Sequence, residues 1–171
     1  MISDVNIYLR APEPADLSTM YAVENDRTLW QSSAVRAPMS MYKLRQFVEA
    51  YDANVLATDS GRFTICRRSD DALLGFIDYF ELDTLNRRTG IGLVILEEYR
   101  AQGYGAASIE LLAEYLGKEL GLHSLWAVIA QDNQASRATF ESARFTTSGR
   151  LRSWIRTGTT YTDALLYQRL L

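Results

Sequence analysis

The chain has 171 residues, with 18 Lys and Arg against 21 Asp and Glu, a formal net charge of −3. That acidity argues against a dedicated nucleic-acid binder, which carries a basic patch. Cys66 is the only cysteine and His123 the only histidine, so an internal disulfide and a zinc site of the usual Cys and His ligands are excluded, and the length fits one domain spanning residues 1–171.

Residues 5–9 read as a short strand. Pro14 and the acidic residues around it suit a first helical turn, and Leu17, Met20, Tyr21 and Glu24 keep helical spacing, so a helix is expected over about 14–24. Residues 25–40 carry mixed signals and read as an irregular connection. Ser40 is placed to cap a second helix bearing Leu44, Phe47, Val48 and Tyr51. From residue 61 the period changes to two. Residues 62–67 and 73–82 read as a hairpin around Asp70-Asp71, and residues 89–96 as the next strand. A helix is expected over about 105–119, ended by Gly121. Residues 124–130 form a continuous apolar run, the mark of a strand buried on both faces. Asp132 or Asn133 can cap a short helix through Ser142, and residues 144–150 and 161–170 close the chain as strands.

The nucleophile chemistries are weakly supplied. Cys66 lies in an alternating strand, where a packed thiol is the plain reading. A Ser-His-Asp triad would depend on His123, and no Gly-x-Ser-x-Gly elbow presents a serine. No basic start followed by a long apolar run marks a signal peptide, and no stretch nears the roughly 20 apolar residues of a spanning helix. A cytoplasmic protein without membrane contact is the expectation, with no metal.

The informative stretch is strand, Gly-rich turn, helix, over residues 90–112. Gly103 and Gly105 let the backbone approach a ligand, and the N–H groups of the following helix start favour an anion. Arg100 adds a cation beside them. The alternative reading is a helix start that merely needs two flexible residues. A P-loop is ruled out because Ala106-Ala107, not Lys-Ser/Thr, follows Gly105. The dinucleotide fingerprint fits poorly, because the next strand offers no acidic residue.

Arg100-Ala101-Gln102-Gly103-Tyr104-Gly105 resembles the Arg/Gln-x-x-Gly-x-Gly/Ala signature of GNAT-type acyl-CoA N-acyltransferases. Asn133, opening the next helix ahead of Phe145, resembles the family's second signature, and the likeness spans nearly the whole chain. It resembles most the branch of ribosomal-protein N-terminal and polyamine acetyltransferases. The resemblance implies an α/β fold with a mixed, mostly antiparallel sheet of six to seven strands, flanked by about four helices and splayed at the cofactor strand. It implies bound acetyl-CoA as acyl donor. The pyrophosphate would rest on Arg100, Ala101, Gln102, Gly103, Tyr104, Gly105 and Ala106. The pantetheine arm would pair with Leu93, Val94 and Ile95 as an added strand. The N–H of Val94 or Ile95 would polarise the thioester carbonyl. Asn133, Ser136 and Phe140 would complete the cofactor site, although Asn133 also reads as a plain helix cap.

Two positions depart from the family pattern. Phe140 stands where polyamine-type relatives place a proton-donating Tyr, and Gly90 where many carry a Glu. Asp78, which interrupts the apolar run from Gly75 to Phe80, and Tyr167 are the substitute catalytic candidates, with Glu81 and Tyr161 behind them. Trp30, Tyr42 and Trp154, with Tyr161, are candidates to wall an acceptor pocket, against ordinary core packing. The sequence around Trp30 is neutral to basic, which weakens a polyamine reading. The expected activity is N-acetylation of a small amine or a protein N-terminus, by a homodimer. The alternative is a non-catalytic acyl-CoA-binding module on the same fold.

Overall fold

The structure, a computed structural model, describes residues 2–30, 36–51 and 54–171. Alternating burial along the strands builds one sheet from β1 (Ile2–Ser3), β2 (Ile7–Arg10), β3 (Gly61–Arg67), β4 (Leu73–Asp83), β5 (Arg88–Ile95), β6 (Ser124–Ala130), β7 (Thr146–Thr157) and β8 (Thr160–Leu170). The spatial order is β1-β2-β3-β4-β5-β6-β8-β7. Every neighbouring pair is antiparallel except β5 with β6.

The sheet thus holds eight strands rather than six or seven. The additional one is β1, whose two residues are too short to show a period and which pairs Ile2 with Leu9. The strand β7 also runs well past the expected residue 150. A bulge between Leu151 and Ile155, with Ser153 at φ 48°, lets it bend and continue alongside β8.

Side-chain alternation on β4 sorts the two helical layers. Ile77 and Tyr79 point to the larger core, whereas Phe76 joins a smaller cluster with Met20 and Leu44. The smaller cluster lies under α1 (Leu17–Asn25) and α2 (Met41–Glu49). A 3-10 turn, Pro14–Asp16, leads into α1, and the Ser40 hydroxyl accepts the Lys43 N–H at 3.1 Å to cap α2, as its sequence predicts.

The larger core lies under α3 (Tyr104–Glu114) and α4 (Gln134–Ser142). Ile109, Leu112 and Leu116 are fully buried there. Each contributes about 1.5–3 kcal/mol through removal of apolar surface from water. A single wide π turn, Tyr115–Glu119, continues α3 before Gly121, at φ 66°, ends it.

One discontinuity matters for function. β5 and β6 are in register only at Arg88↔Ser124, Thr89↔Leu125 and Gly90↔Trp126. Beyond Gly90, β5 stays paired to β4 as far as Ile95, and beyond Trp126, β6 stays paired to β8 as far as Ala130. Residues 91–95 and 127–130 therefore border a wedge-shaped gap in the sheet, with its closed end at Gly90 and Trp126.

Candidate active site

The open end of the gap leads to the turn between β5 and α3. A 3-10 turn, Glu97–Tyr99, is followed by Arg100 in extended backbone, Ala101 at φ 57° and Gly103 at φ 84°. Gly103 is the N-cap of α3 and its carbonyl accepts the Ala107 N–H at 3.1 Å; no side chain caps the helix. The N–H groups of Tyr104, Gly105 and Ala106 are the first-turn donors that helix geometry leaves without an intrahelical partner. They sit at the positive end of the helix dipole, an arrangement that binds phosphate. Arg100 donates from Nε to the Ile95 carbonyl at 3.0 Å, which tethers the cation at the end of β5. Gln102 donates to the Glu98 carbonyl at 3.0 Å and holds the turn closed.

The two glycines do different jobs. A β-carbon at Gly103 would meet nothing within 4 Å, so its requirement is the left-handed backbone. One at Gly105 would stand 2.9 Å from Thr139 Cγ2 and 3.4 Å from Leu93 Cδ1. Gly105 thus allows α3 to approach α4 and β5, rather than clearing space for a ligand.

The phase of the β4–β5 ladder decides which backbone groups face the gap. The Leu96 N–H donates to the Leu74 carbonyl at 2.9 Å. The register continues from there without a shift through Gly75↔Ile95, Phe76↔Val94 and Ile77↔Leu93. Antiparallel alternation then spends the Val94 N–H on β4 and turns those of Leu93 and Ile95 toward the gap. Of the two donors that the sequence left open for the thioester carbonyl, Val94 is thereby excluded and Ile95 remains. Val94 instead packs its side chain against the Met20, Leu44 and Phe76 cluster.

On α4, the Asn133 side chain accepts the Ser136 N–H at 3.1 Å. The helix-cap reading of Asn133 is therefore correct, and its Nδ2 donates to no protein group among the described residues. Ser136 is half-buried beside it. Phe140 does not belong to a cofactor surface. Its ring is 2% exposed and meets Phe145 edge-on, with centroids 5.0 Å apart. An inward-facing position on a short amphipathic helix serves the core.

Both substitute catalytic candidates have structural work. Asp78 accepts two bonds from Arg62, at 2.7 Å from Nε and 2.9 Å from Nη2. Arg62 also reaches Glu24 at 2.6 Å and lies over the Phe76 ring. Tyr167 is fully buried, donates to Glu141 at 2.7 Å and accepts from Arg137 at 3.2 Å. A hydroxyl so saturated has no free proton to offer, which removes Tyr167 as a general acid. Glu81 is a bulge residue at φ 51° beyond the last regular β4–β5 pair. At Gly90, where many relatives carry Glu, any side chain requires the Phe80 ring to move. A β-carbon there would stand 2.3 Å from the Phe80 ring.

The acceptor candidates divide. Trp30 donates from its indole to the Glu24 carbonyl at 2.9 Å, which places it near the Glu24–Arg62–Asp78 group. Tyr42 and Trp154 are 66% and 61% exposed, so core packing explains neither, and the contacts do not bring them to Trp30. Tyr161 is exposed near the β7–β8 turn. Residues 31–35 of the expected acceptor segment lie outside the described residues, but Arg36 beyond them donates to the Arg156 carbonyl of β7 at 2.6 Å. The sequence alone does not bring Phe80 and Trp126 to the closed end of the gap; the ladder does, setting Phe80 and Trp126 on either side of Gly90.

Among the described residues, no cluster of His, Cys, Asp and Glu could hold a metal, and no helix is long and apolar enough to cross a membrane.

The family described as an acetyltransferase (GNAT) domain matches residues 6–146. Among curated relatives, the SPbeta prophage-derived N-acetyltransferase YokL of Bacillus subtilis is 28% identical over 162 residues, covering 95% of this chain and 88% of that protein. The putative ribosomal N-acetyltransferase YdaF of the same organism is 31% identical over 101 residues, covering 59% and 55%. Among solved structures, spermidine N-acetyltransferase from Vibrio cholerae, in complex with CoA and spermine, superposes with a TM-score of 0.85 at 21% identity, covering 98% and 96%. With the family matched across residues 6–146 and the splayed strands leading to an uncapped helix start, the chain belongs to the GNAT acetyltransferase family.

Proposed function

We propose that this protein transfers an acetyl group from acetyl-CoA to a primary amine, either a small amine or a protein N-terminus. The observation that carries the reading is the continuity of the β5–β6 gap with the uncapped start of α3. An extended pantetheine fits the first as an added strand, and a pyrophosphate fits the second. Curated relatives bear the name N-acetyltransferase, and structural neighbours act on spermidine, which supports an amine acceptor.

In this reading the N–H groups of Tyr104, Gly105 and Ala106 hold the pyrophosphate, with Arg100 adding positive charge. The gap-facing backbone of Leu93 and Ile95 holds the pantetheine amides, and Asn133 adds a side-chain amide donor. Bound acetyl-CoA supplies an acyl group already activated as a thioester. The gap-facing N–H groups of Leu93 and Ile95 are the donors available to a developing oxyanion, with Leu93 the nearer to the closed end at Gly90 and Trp126. Positioning alone can contribute about 7–11 kcal/mol to such a transfer. General acid–base help is worth about 10²–10⁴-fold. Transfer without a dedicated acid is therefore slower but feasible.

The second reading, acyl-CoA binding without transfer, is favoured by the burial of Phe140 and the saturation of Tyr167. One experiment separates the two. The protein is incubated with acetyl-CoA and a panel of amines and peptides while free thiol is followed. Acceptor-dependent thiol release, abolished by Gly103→Glu, supports transfer. Stabilisation by CoA without release supports the binding module. Saturation at 100 times Kd adds about 2.7 kcal/mol. For a chain this size that raises Tm by about 5–11 °C. Neither release nor stabilisation rejects both readings.

A further inference from the structure

The closed end of the gap is an aromatic wall. The last β5–β6 pair is Gly90↔Trp126, and the residue opposite Gly90 on β4 is Phe80. The Phe80 ring lies across β5, where it would meet a β-carbon at Gly90 at 2.3 Å and one at Gly92 at 3.7 Å. It ends edge-on against Trp126, with centroids 5.2 Å apart and planes at 88°. The two rings thus bridge β4 to β6 over a strand that has no side chains of its own at those positions.

Several observations separate this pair from ordinary core. Both rings are half-buried and lie outside the two buried clusters. The Phe80 backbone is also held deliberately. It sits beside the β4–β5 bulge, where the buried Thr89 hydroxyl donates to the Phe80 carbonyl at 2.8 Å. The bulge re-aims the strand just after the ring, a common device next to functional sites.

The pair stands on the face from which an acceptor must approach. α3 and α4 cover the other face, and Gly105 packs onto Thr139 there without clearance. α1 and α2 cluster with Phe76 and Val94, and among the described residues they leave the Phe80–Trp126 pair half-open. Asp78, two residues from Phe80 on the same face, has both oxygens committed to Arg62.

We propose that Phe80, braced by Trp126, is the specificity-determining wall of the acceptor pocket. It takes the flat or apolar substituent of a monoamine in preference to a linear polycation. The proposal rests on the acetyl-transfer reading above. An aromatic wall rewards an apolar group next to the reacting amine. Both oxygens of the carboxylate beside it accept from Arg62, so a second ammonium has to compete with a guanidinium for them.

The test compares phenethylamine, butylamine and spermidine as acceptors by thiol release, for wild type, Phe80→Ala and the apolar but non-aromatic Phe80→Leu. Circular dichroism and CoA-induced thermal shift check that each variant folds and binds donor. Wild type is expected to prefer phenethylamine over butylamine, and both over spermidine. Phe80→Ala is expected to lower kcat/KM for phenethylamine by at least about tenfold through acceptor KM, with Phe80→Leu intermediate and acetyl-CoA KM within about twofold. Turnover with a wild-type preference for spermidine overturns the proposal alone, as does an acceptor order that neither substitution changes. Release with the peptides of the panel above but with none of the three amines also overturns the proposal alone, and absence of turnover with amines and peptides alike overturns it together with the transfer reading.

Discussion

Replacing Asp78 by Asn separates a catalytic carboxylate from a structural one. Asp78 and Arg62 share two bonds of 2.7 and 2.9 Å, and Arg62 makes a third, of 2.6 Å, to Glu24. The Arg62 side chain is 14% exposed, so its charge depends on these partners. The substitution puts an amide NH2 against a guanidinium N–H and leaves Glu24 as the only counter-charge in the group. Breaking a fully buried pair costs about 3–5 kcal/mol. Here Asp78 is 34% exposed and Glu24 stays in place, so a loss of about 1.5–3 kcal/mol is expected, the range of hydrogen bonds to charged groups. For a chain this size the corresponding fall in Tm is about 3–12 °C. Thermal unfolding followed by circular dichroism measures it. Steady-state acetyl transfer well below Tm should retain kcat within about threefold, because general-base help would have been worth about 10²–10⁴. The double variant with Arg62→Met should lose less stability than the sum of the single changes. A variant with unchanged Tm and a hundredfold lower kcat would refute the structural assignment and return Asp78 to the proton path.

Three further outcomes follow from the geometry. Burial raises the Asp16 carboxyl, but the bidentate Arg10 contact, the Glu13 N–H and the Thr64 hydroxyl outweigh it and hold its pKa below the usual 3.8. A depressed carboxylate stabilises above its unfolded pKa, and that stability disappears as pH falls through the folded value. Wild-type Tm should therefore hold above about pH 5 and fall below about pH 4, whereas Asp16→Asn should be less stable by about 3 kcal/mol at pH 7 and show a shallower acid limb. Gly105→Ala drives a β-carbon to 2.9 Å from Thr139 Cγ2; it should cost about 1–3 kcal/mol in urea unfolding, largely recovered by Thr139→Ala. Tyr167→Phe removes bonds to Glu141 and from Arg137, so it should lower stability by about 1 kcal/mol while kcat and its pH profile stay as in wild type.

The local signals were the readable ones. The apolar run marks Ser124–Ala130 as a strand, and the strand occupies those residues, but its burial alternates: Leu125, Ala127 and Ile129 are buried while Trp126, Val128 and Ala130 are half-buried, so only one face is fully covered. Ser40 and Asn133 cap the helices that follow them, since a side-chain oxygen two or three residues ahead of free N–H groups is a contact within one turn. What depends on register was not readable. The pairing of Arg62 with Asp78 requires knowing which residue of β3 faces which of β4, and a bulge between Ile65 and Cys66 shifts that count. The same holds for Phe80. Gly90 reads as an empty catalytic position until the ladder places a ring from β4 into the space it leaves.

The Phe80 ring fills the space that the departure at position 90 leaves, whereas the departure at position 140 is a separate matter of core packing. A side chain at residue 90 and the Phe80 ring cannot occupy the same volume, so the wall over β5 exists only with glycine there. Phe140 is committed edge-on against Phe145 in the core beneath α4. In the proposed reading, donor binding falls to backbone groups on β5 and α3, and discrimination among acceptors to the aromatic wall. Restoring a carboxylate with Gly90→Glu alone would push against Phe80 before it reached any substrate. Only its combination with a smaller residue at 80 tests whether the missing base or the aromatic wall governs turnover.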